Sequence, residues 1–367
     1  QGTRPTAFPP NAPTSEMTPC RQLRQLSEPS SASRLAWSGE RTPAHDRWCY
    51  AVGSAIAVRG AERAGIARLA DVAVVSWNMY GGSGDIDALI ADLRGGRLDG
   101  SPTSDFVLLL QEAIRTATDL PARPIAGSRI GKRVTGRSGD RRAQSIDAIA
   151  QRHGLHLLYV PSLRNGAGGT PPEDRGNAIL STLPLHALEA MELPLEQQRR
   201  VSVAARVTAL AASGDTIDVQ LVSVHLDLRS GWRRLHRSFG AGRLEQARSI
   251  TARLAAEPVV VVGGDLNSWF GGPREGAVRA LGSALPNAER ARETSTLSTP
   301  RFLPGLRLDH VFFRLPEGMS AKHGVVAQRY GSDHHPVIAR IEAKERPRYE
   351  VSATGGPPHL RVTSPQE

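Results

Sequence analysis

The sequence predicts an α/β protein in which two β-sheets pack together and carry helices on their outer faces. Three observations predict it. Apolar, β-branched runs are many, helical patterns between them are few, and the two do not alternate strictly as βαβ units would require. The chain has 367 residues and is 40% hydrophobic, enough for one large domain or two ordinary ones.

Residues 1 to about 70 are rich in Pro, Ser, Ala and Arg and show no sustained period, so they read as an irregular N-terminal extension. Both cysteines, Cys20 and Cys49, fall in this segment. A disulfide between them would staple it, which suits a secreted or periplasmic protein; two unrelated free thiols are the alternative. The chain begins with Gln rather than Met, which fits removal of a signal peptide, although none is visible.

From residue 71 the pattern changes. "DVAVVSWN" (71–78) opens a series of strands that continues with "DFVLLLQE" (105–112), "LHLLYV" (155–160), "NAILS" (177–181), "RVSVAARVTAL" (200–210) and "TIDVQLVSVHL" (216–226). It ends with "VVVVGG" (259–264), "LDHVFFR" (308–314) and "HPVIARI" (335–341). Helices are expected over 85–94, which starts on an Asp, and over 144–154, 242–257 and 273–285, the last opened by proline. Residues 343–367 are polar and Pro-rich and read as a flexible C-terminal tail. No apolar run approaches the roughly 18 to 20 residues that span a bilayer, so no transmembrane segment is expected.

The strands end on polar residues that a core would not accept. Asn78 and Glu112 close two of them, His225 lies near the end of another, and the valine run delivers Asp265 and Asn267. Those two are two apart on an extended chain and so project to one face. "LDHVFF" carries Asp309 and His310, and "SDHH" places Asp333, His334 and His335 before the last strand. Each could be a capping or solvated residue; six such endings on one sheet-rich chain make a shared site the better account. Glu112, Asp333 and Asn78 are oxygen donors suited to a hard ion such as Mg²⁺ or Mn²⁺, and histidines beside carboxylates suit proton transfer. The absence of HExxH, GxxxxGK[ST] and GxSxG argues against a zinc peptidase, a P-loop nucleotidase and a serine hydrolase. Metal-assisted hydrolysis of a phosphate ester by activated water remains.

Taken in order, "SWNMYGG", "LLLQEA", "GNAILS", "VSVHLD", "GGDLNS", "RLDHVFF" and "GSDHHPV" resemble the motifs of the endonuclease/exonuclease/phosphatase superfamily across about residues 71 to 342. That group includes pancreatic-type deoxyribonucleases and bacterial sphingomyelinases. The resemblance implies a four-layer α/β/β/α sandwich of two mostly antiparallel sheets, with the site where the sheets open at one edge. It makes Glu112 the principal metal ligand, with Asn78 and Asp333 beside it. Asp265 would orient or deprotonate the attacking water, and Asn267 would hold the phosphate or that water. His334 would stabilise charge on the phosphorane, Asp309 would orient His334, and His225 would be the general acid for the leaving oxygen. Asn177 lies in the motif that helps bind phosphate. His335 is left structural.

Substrate elements are less defined. The chain carries a net charge of +10, which suits nucleic acid, phospholipid headgroups or no specific partner. "LRSGWRRLHR" (228–237) is arginine-rich and holds Arg229, Trp232, Arg233 and Arg234; "RIGKRVTGRSGDRR" (129–142) is a second basic stretch. Both could follow a phosphate backbone, with Trp232 stacking on a base or entering a membrane interface, or both could be solvated surface. The expectation is a monomeric, Mg²⁺- or Mn²⁺-dependent, nuclease-like phosphodiesterase. A sphingomyelinase-like phospholipid phosphodiesterase or a phosphomonoesterase is the nearest alternative. An inactive polyanion-binding module is disfavoured, since every expected catalytic position holds a competent residue type.

Overall fold

The computed structural model describes residues 19–26, 34–116, 120–124, 127–134, 144–168, 171–228, 240–269, 272–286, 295–297 and 306–343. In chain order the strands are β1 (Leu23–Gln25), β2 (Ala36–Ser38), β3 (Ala55–Val58), β4 (Ala73–Asn78), β5 (Phe106–Thr116), β6 (His156–Arg164) and β7 (Glu173–Ser181). They continue as β8 (His186–Glu192), β9 (Val201–Leu210), β10 (Thr216–His225), β11 (Val260–Asp265), β12 (Asp309–Arg314), β13 (Met319–Val325) and β14 (Val337–Ala343). The helices are α1 (Pro43–Cys49), α2 (Ile86–Arg94), α3 (Ile146–His153), α4 (Ala241–Arg253) and α5 (Gly276–Ala284).

Two mixed sheets result, one ordered β1-β3-β6-β7-β5-β4-β14-β13 and the other β12-β11-β10-β9-β8-β2. Most neighbours run antiparallel; the parallel pairs are β1 with β3, β4 with β5, β10 with β11, and β2 with β8. Period-2 alternation then builds the layers. Val74, Val107, Leu109 and Ile179 share a buried cluster with Val203, Leu221 and Val261 of the other sheet. Their strand neighbours Val75, Trp77, Leu108 and Leu110 cluster instead with Ile86, Leu89 and Ile90 of α2 and Ile149 of α3. On the far side Val222, Val224, Val260 and Val262 cluster with Ile250 of α4 and Leu281 of α5. Three apolar interfaces separate four layers, α/β/β/α. No helix of the described residues is long and apolar enough to cross a membrane.

The N-terminal segment departs from the irregular extension expected. β1 pairs with β3 and β3 with β6 in the larger sheet, while β2 pairs with β8 at the edge of the smaller. A boundary at residue 71 therefore does not separate the described segment from the sandwich. Strands of three or four residues carry too little alternation to be read alone; β2 and β3 are held by β8 and β6, far along the chain, and β1 only by β3. β8 was also not expected: "HALEAME" is rich in helix formers, and pairing with β9 overrides that preference. β13, "MSAKHGV", carries Val325 as its one β-branched residue, a weak strand signal, and is held by β14. The helix expected to open at Pro273 begins at Gly276, after a 3₁₀ turn over Gly272–Arg274. The cysteine bridge is present: Cys20 and Cys49 are joined, their Cα atoms 5.3 Å apart, and both are buried beside Val52.

Candidate active site

Strand register lines up three of the polar endings. His225 of β10 sits opposite Asp265 of β11, and Asp265 opposite Asp309 of β12, so the three form a row across one end of the smaller sheet. Val261, Gly263 and Asp265 share a face of β11, the face turned toward the other sheet. A Cβ at Gly263 would lie 2.9 Å from both the Ser76 Cβ and a Leu109 methyl. Only glycine lets the sheets approach there, and the approach brings Asp265 to Asn78 at the end of β4. Asn78 Nδ2 donates to Asp265 Oδ2 at 2.9 Å.

The larger sheet supplies the rest. Glu112 sits in a β-bulge of β5, between Leu110 and Ala113, with φ of 53°. Such a backbone is uncommon for a residue with a Cβ, and the bulge re-aims the side chain. Glu112 Oε2 accepts the Gly81 N–H at 3.0 Å, and its Oε1 lies 3.4 Å from Arg175 Nη1. His334 precedes β14. Its carbonyl accepts the Trp77 indole N–H (3.2 Å), its N–H donates to Ser332 Oγ (3.0 Å), and Ser332 Oγ donates to the Asn78 carbonyl (2.7 Å).

His334 joins the two halves. Its Nδ1 is 2.7 Å from Asp309 Oδ2, while Nε2 lies 3.9 Å from both Asp265 Oδ2 and Asp333 Oδ1. Burial alone would lower its pKa; the carboxylates of Asp309, Asp265 and Asp333 outweigh that and raise it to about 10. Burial raises Asp265 to about 6, with the His334 cation pulling down and Asp309 pushing up. His225 Nε2 is 3.5 Å from Asp265 Oδ2. Burial, reinforced by Arg200, Arg175 and His334, holds its pKa well below the usual histidine range. The site thus contains a near-neutral base, a fixed imidazolium and a neutral imidazole, all buried.

The profile of the Endonuclease/Exonuclease/phosphatase family matches residues 75–334, most of the chain and every residue of this cluster. The chain belongs to that family. Relatives include a UPF0294 protein of Vibrio parahaemolyticus, 36% identical over 80 residues that make up 22% of this chain and 26% of that protein. A UPF0294 protein of Vibrio campbellii is 32% identical over 88 residues, 24% of this chain and 29% of that protein. The matched region is therefore under a third of the length of these relatives. Among solved structures, a family protein from Leptotrichia buccalis is similar with a TM-score of 0.49 and 15% identity, over 74% of this chain and 99% of that one. One from Beutenbergia cavernae gives 0.48 and 18%, over 74% and 71%.

Endonuclease/exonuclease/phosphatase enzymes hydrolyse phosphoester bonds and use divalent metals. Asp265, Asp309 and His334 place potential ligand atoms within 4.8 Å of one another. A protonated His334 with Nδ1 held by Asp309 is a poor ligand, so this trio reads better as acid–base machinery. The donor set that fits a hard cation is Glu112 with Asp333. Asp333 Oδ1 is buried without a hydrogen-bond partner, and burial, with the Glu112 and Asp309 charges, raises the Asp333 pKa against the opposing pull of His334. Asn78 adjoins them, but its carboxamide is committed, with Nδ2 on Asp265 and Oδ1 accepting the Tyr80 N–H at 2.9 Å.

Three expectations change in detail. Asn267, with φ of 49°, uses both ends of its amide: Nδ2 donates to the Leu226 carbonyl and Oδ1 accepts the Trp269 indole N–H. What it offers the site is its backbone N–H, donated to Asp265 Oδ1 at 2.9 Å, so it braces Asp265 rather than reaching for phosphate. Asn177 Nδ2 donates to the carbonyls of Val201 and Ser223, tying the sheets together at the cleft wall. His225, expected as the general acid for the leaving oxygen, has its Nε2 3.5 Å from Asp265 Oδ2, and burial and the arginines favour its neutral ring.

Sequence reading missed Thr296, Arg175 and Arg200. Thr296 Oγ1 accepts the N–H groups of Leu308 and Asp309, and its carbonyl accepts the His335 N–H. Arg175 and Arg200 line the cleft beside Glu112 and His225. Their only sequence signal is position, one in "DRGNAILS" and one opening "RVSVAARV". Arg229, Trp232, Arg233 and Arg234 lie outside the described residues, as does the 135–142 part of the second basic stretch. His335 Nδ1 meets the Val326 carbonyl at 2.9 Å, a structural contact.

Proposed function

We propose that this chain is a divalent-metal-dependent phosphodiesterase with a nuclease-like substrate. The observation that carries the reading is the alignment of Asp309, His334 and Asp265, with the free edge of the His334 ring facing the gap between Asp265 and Asp333. A phosphate in that gap meets an imidazolium on one side and a carboxylate that titrates near neutrality on the other.

Each residue then has a chemical task. Asp265, with a pKa of about 6, is ionised at neutral pH and basic enough to take a proton from an attacking water. Asn78 and the Asn267 N–H hold its two oxygens in place. His334 stays cationic and donates through Nε2 to the oxygens where negative charge grows. His225 donates a neutral N–H next to Asp265. Glu112 and Asp333 would hold a divalent ion, which when bound would supply Lewis-acid polarisation of a phosphoryl oxygen.

The net charge of +10 and the arginine-rich 228–237 stretch support a polyanionic substrate. The disulfide supports export to an oxidising compartment, and action as a monomer is part of the same proposal. The test is a panel of plasmid DNA, RNA, sphingomyelin vesicles, inositol phosphates, bis-p-nitrophenyl phosphate and p-nitrophenyl phosphate, each with Mg²⁺, Mn²⁺ or EDTA. Metal-dependent cleavage of nucleic acid and of the aryl diester is expected. Turnover confined to sphingomyelin or to monoesters would replace the nuclease-like substrate, and no turnover on any ester would end the phosphoesterase reading.

A further inference from the structure

Six arginines are buried among the described residues, and four of them are engaged by acceptors. Arg115 forks onto Asp174. Arg164 donates to the carbonyls of Pro121 and Ala122. Arg199 forks onto Glu192 and reaches the Pro161 carbonyl, and Arg243 donates to Glu275 and the Leu228 carbonyl.

Arg175 and Arg200 differ. Arg200 Nε is buried without a partner, and among the described residues no hydrogen bond or ion pair is formed by its guanidinium. Arg175 is partly engaged: its Nη2 donates to the Lys132 carbonyl at a long 3.4 Å, while its Nη1 has no hydrogen bond and makes only the 3.4 Å ion-pair approach to Glu112 Oε1. Both residues are only 7% exposed. Arg199 and Arg200 are chain neighbours, yet the first is saturated inside the protein and the second faces the cleft. The two under-used guanidiniums share one concavity with Glu112, Asn177 and His225.

A buried guanidinium without an acceptor is costly, and two near each other add repulsion. Burial disfavours the Arg200 charge, and the carboxylates of Asp227, Glu112 and Asp265 offset this only in part, whereas an oxyanion entering the concavity would satisfy the free N–H groups in a geometry that guanidinium suits. We propose that Arg175 and Arg200 form a phosphoryl-anion subsite in the wall of the active-site cleft. The assignment rests on the phosphoesterase reading for its biological ligand, but the binding itself does not require turnover. The occupant is a phosphoryl oxyanion, either the scissile group or a neighbouring phosphate of the same substrate.

The experiment is calorimetric titration of the full chain with inorganic phosphate in the absence of divalent metal, using wild type, Arg200→Met, Arg175→Met and Arg200→Lys. Phosphate affinity should fall about ten-fold or more in the Met variants, with Lys intermediate. The melting temperature of Arg200→Met should stay level or rise, because an unpaired buried charge is lost. Wild type that fails to bind phosphate, Met variants that bind it as wild type does, or an Arg200→Met variant that is destabilised with affinity intact would each overturn the subsite. Should Arg200→Met fail to fold, the arginine Nε–H resonance that disappears in Arg200→Lys must shift when phosphate is added to wild type; no shift overturns the proposal. Kinetics assign the occupant: a larger KM increase for Arg200→Lys on an oligonucleotide than on bis-p-nitrophenyl phosphate marks the neighbouring phosphate, and equal increases mark the scissile one. Phosphate binding without hydrolysis of any ester would leave the subsite standing and remove the enzyme.

Discussion

His334 Nδ1 lies 2.7 Å from Asp309 Oδ2, although the two residues belong to different sheets. Asp309 opens β12 of the smaller sheet, and His334 stands in the loop that enters β14 of the larger. Thr296 fastens both sides, accepting the Asp309 N–H at its hydroxyl and the His335 N–H at its carbonyl. The pair therefore exists only when the sandwich is closed.

His334→Ala should lower kcat/KM by about 10² to 10⁴-fold, the range for losing a positioned proton-bearing group. Its melting temperature should change little by comparison. Asp309→Asn keeps the shape but removes the charge that holds the imidazolium, so a large rate loss is expected there too. A near-normal rate for Asp309→Asn in steady-state assays would break the pairing.

Activity should follow a bell in pH. The base Asp265 must be ionised, so the rate should climb through about pH 6; the acid His334 must stay protonated, so it should fall near pH 10. Both groups have folded pKa values above their ordinary 3.8 and 6.5. Each therefore contributes stability that is full below the ordinary value and is lost as pH rises through the folded one. Measuring kcat/KM from pH 4 to 11 on about a half-unit grid tests this; Asp309→Asn should move the alkaline limb toward lower pH, and an unmoved limb would assign it to another group.

Glu112→Gln should weaken divalent-ion binding, followed by calorimetry, and reduce turnover together with it. Glu112 and Asp333 are the carboxylates that fit a hard cation, and Mg²⁺ held by one or two carboxylates keeps most of its waters, so affinity should already be modest. EDTA should abolish hydrolysis. Full turnover in excess chelator would sink the metal assignment.

Reducing Cys20–Cys49, which are 29 positions apart, should cost about 3 to 4 kcal/mol in the chain-entropy account. The loss should appear in denaturant melts, while the catalytic row on β10, β11 and β12 stays competent. Mass spectrometry of unreduced protein showing two free thiols would refute the bridge and the case for export.

Replacing Arg233 and Arg234 with Ala should weaken cleavage of nucleic acid far more than cleavage of bis-p-nitrophenyl phosphate, and should flatten the salt dependence of the former. Trp232→Ala separates the substrates: loss on single-stranded DNA indicates base stacking, and loss on vesicles indicates membrane contact. Equal losses on every substrate would return the loop to ordinary solvated surface.

The strands that build the middle of both sheets were legible in the sequence because their signal is local. Val74 and Val75, or Val261 and Val262, face opposite layers whatever else the chain does, since alternation is a property of extended backbone. The same locality identified Asn78, Asp265 and Asp309 as polar residues at strand ends, and the ordered motifs pointed to the family; Glu112, expected to close its strand at residue 112, instead occupies a bulge inside β5, which runs on to Thr116. Tertiary structure alone decided the rest. It recruited β2 and β3 into sheets through partners far along the chain, with β1 added beside β3, and it turned Asn267 and Asn177 inward to backbone carbonyls. It also set the charge states, a cation at His334 and a neutral ring at His225, from two histidines that look alike as letters. Arg199 and Arg200 make the same point: adjacent and identical, one is a buried strut and the other an open donor. The physical reason is range. Backbone periodicity acts over a few residues, whereas desolvation, ion pairing and hydrogen-bond choice depend on distances between segments that only the packed sandwich brings together.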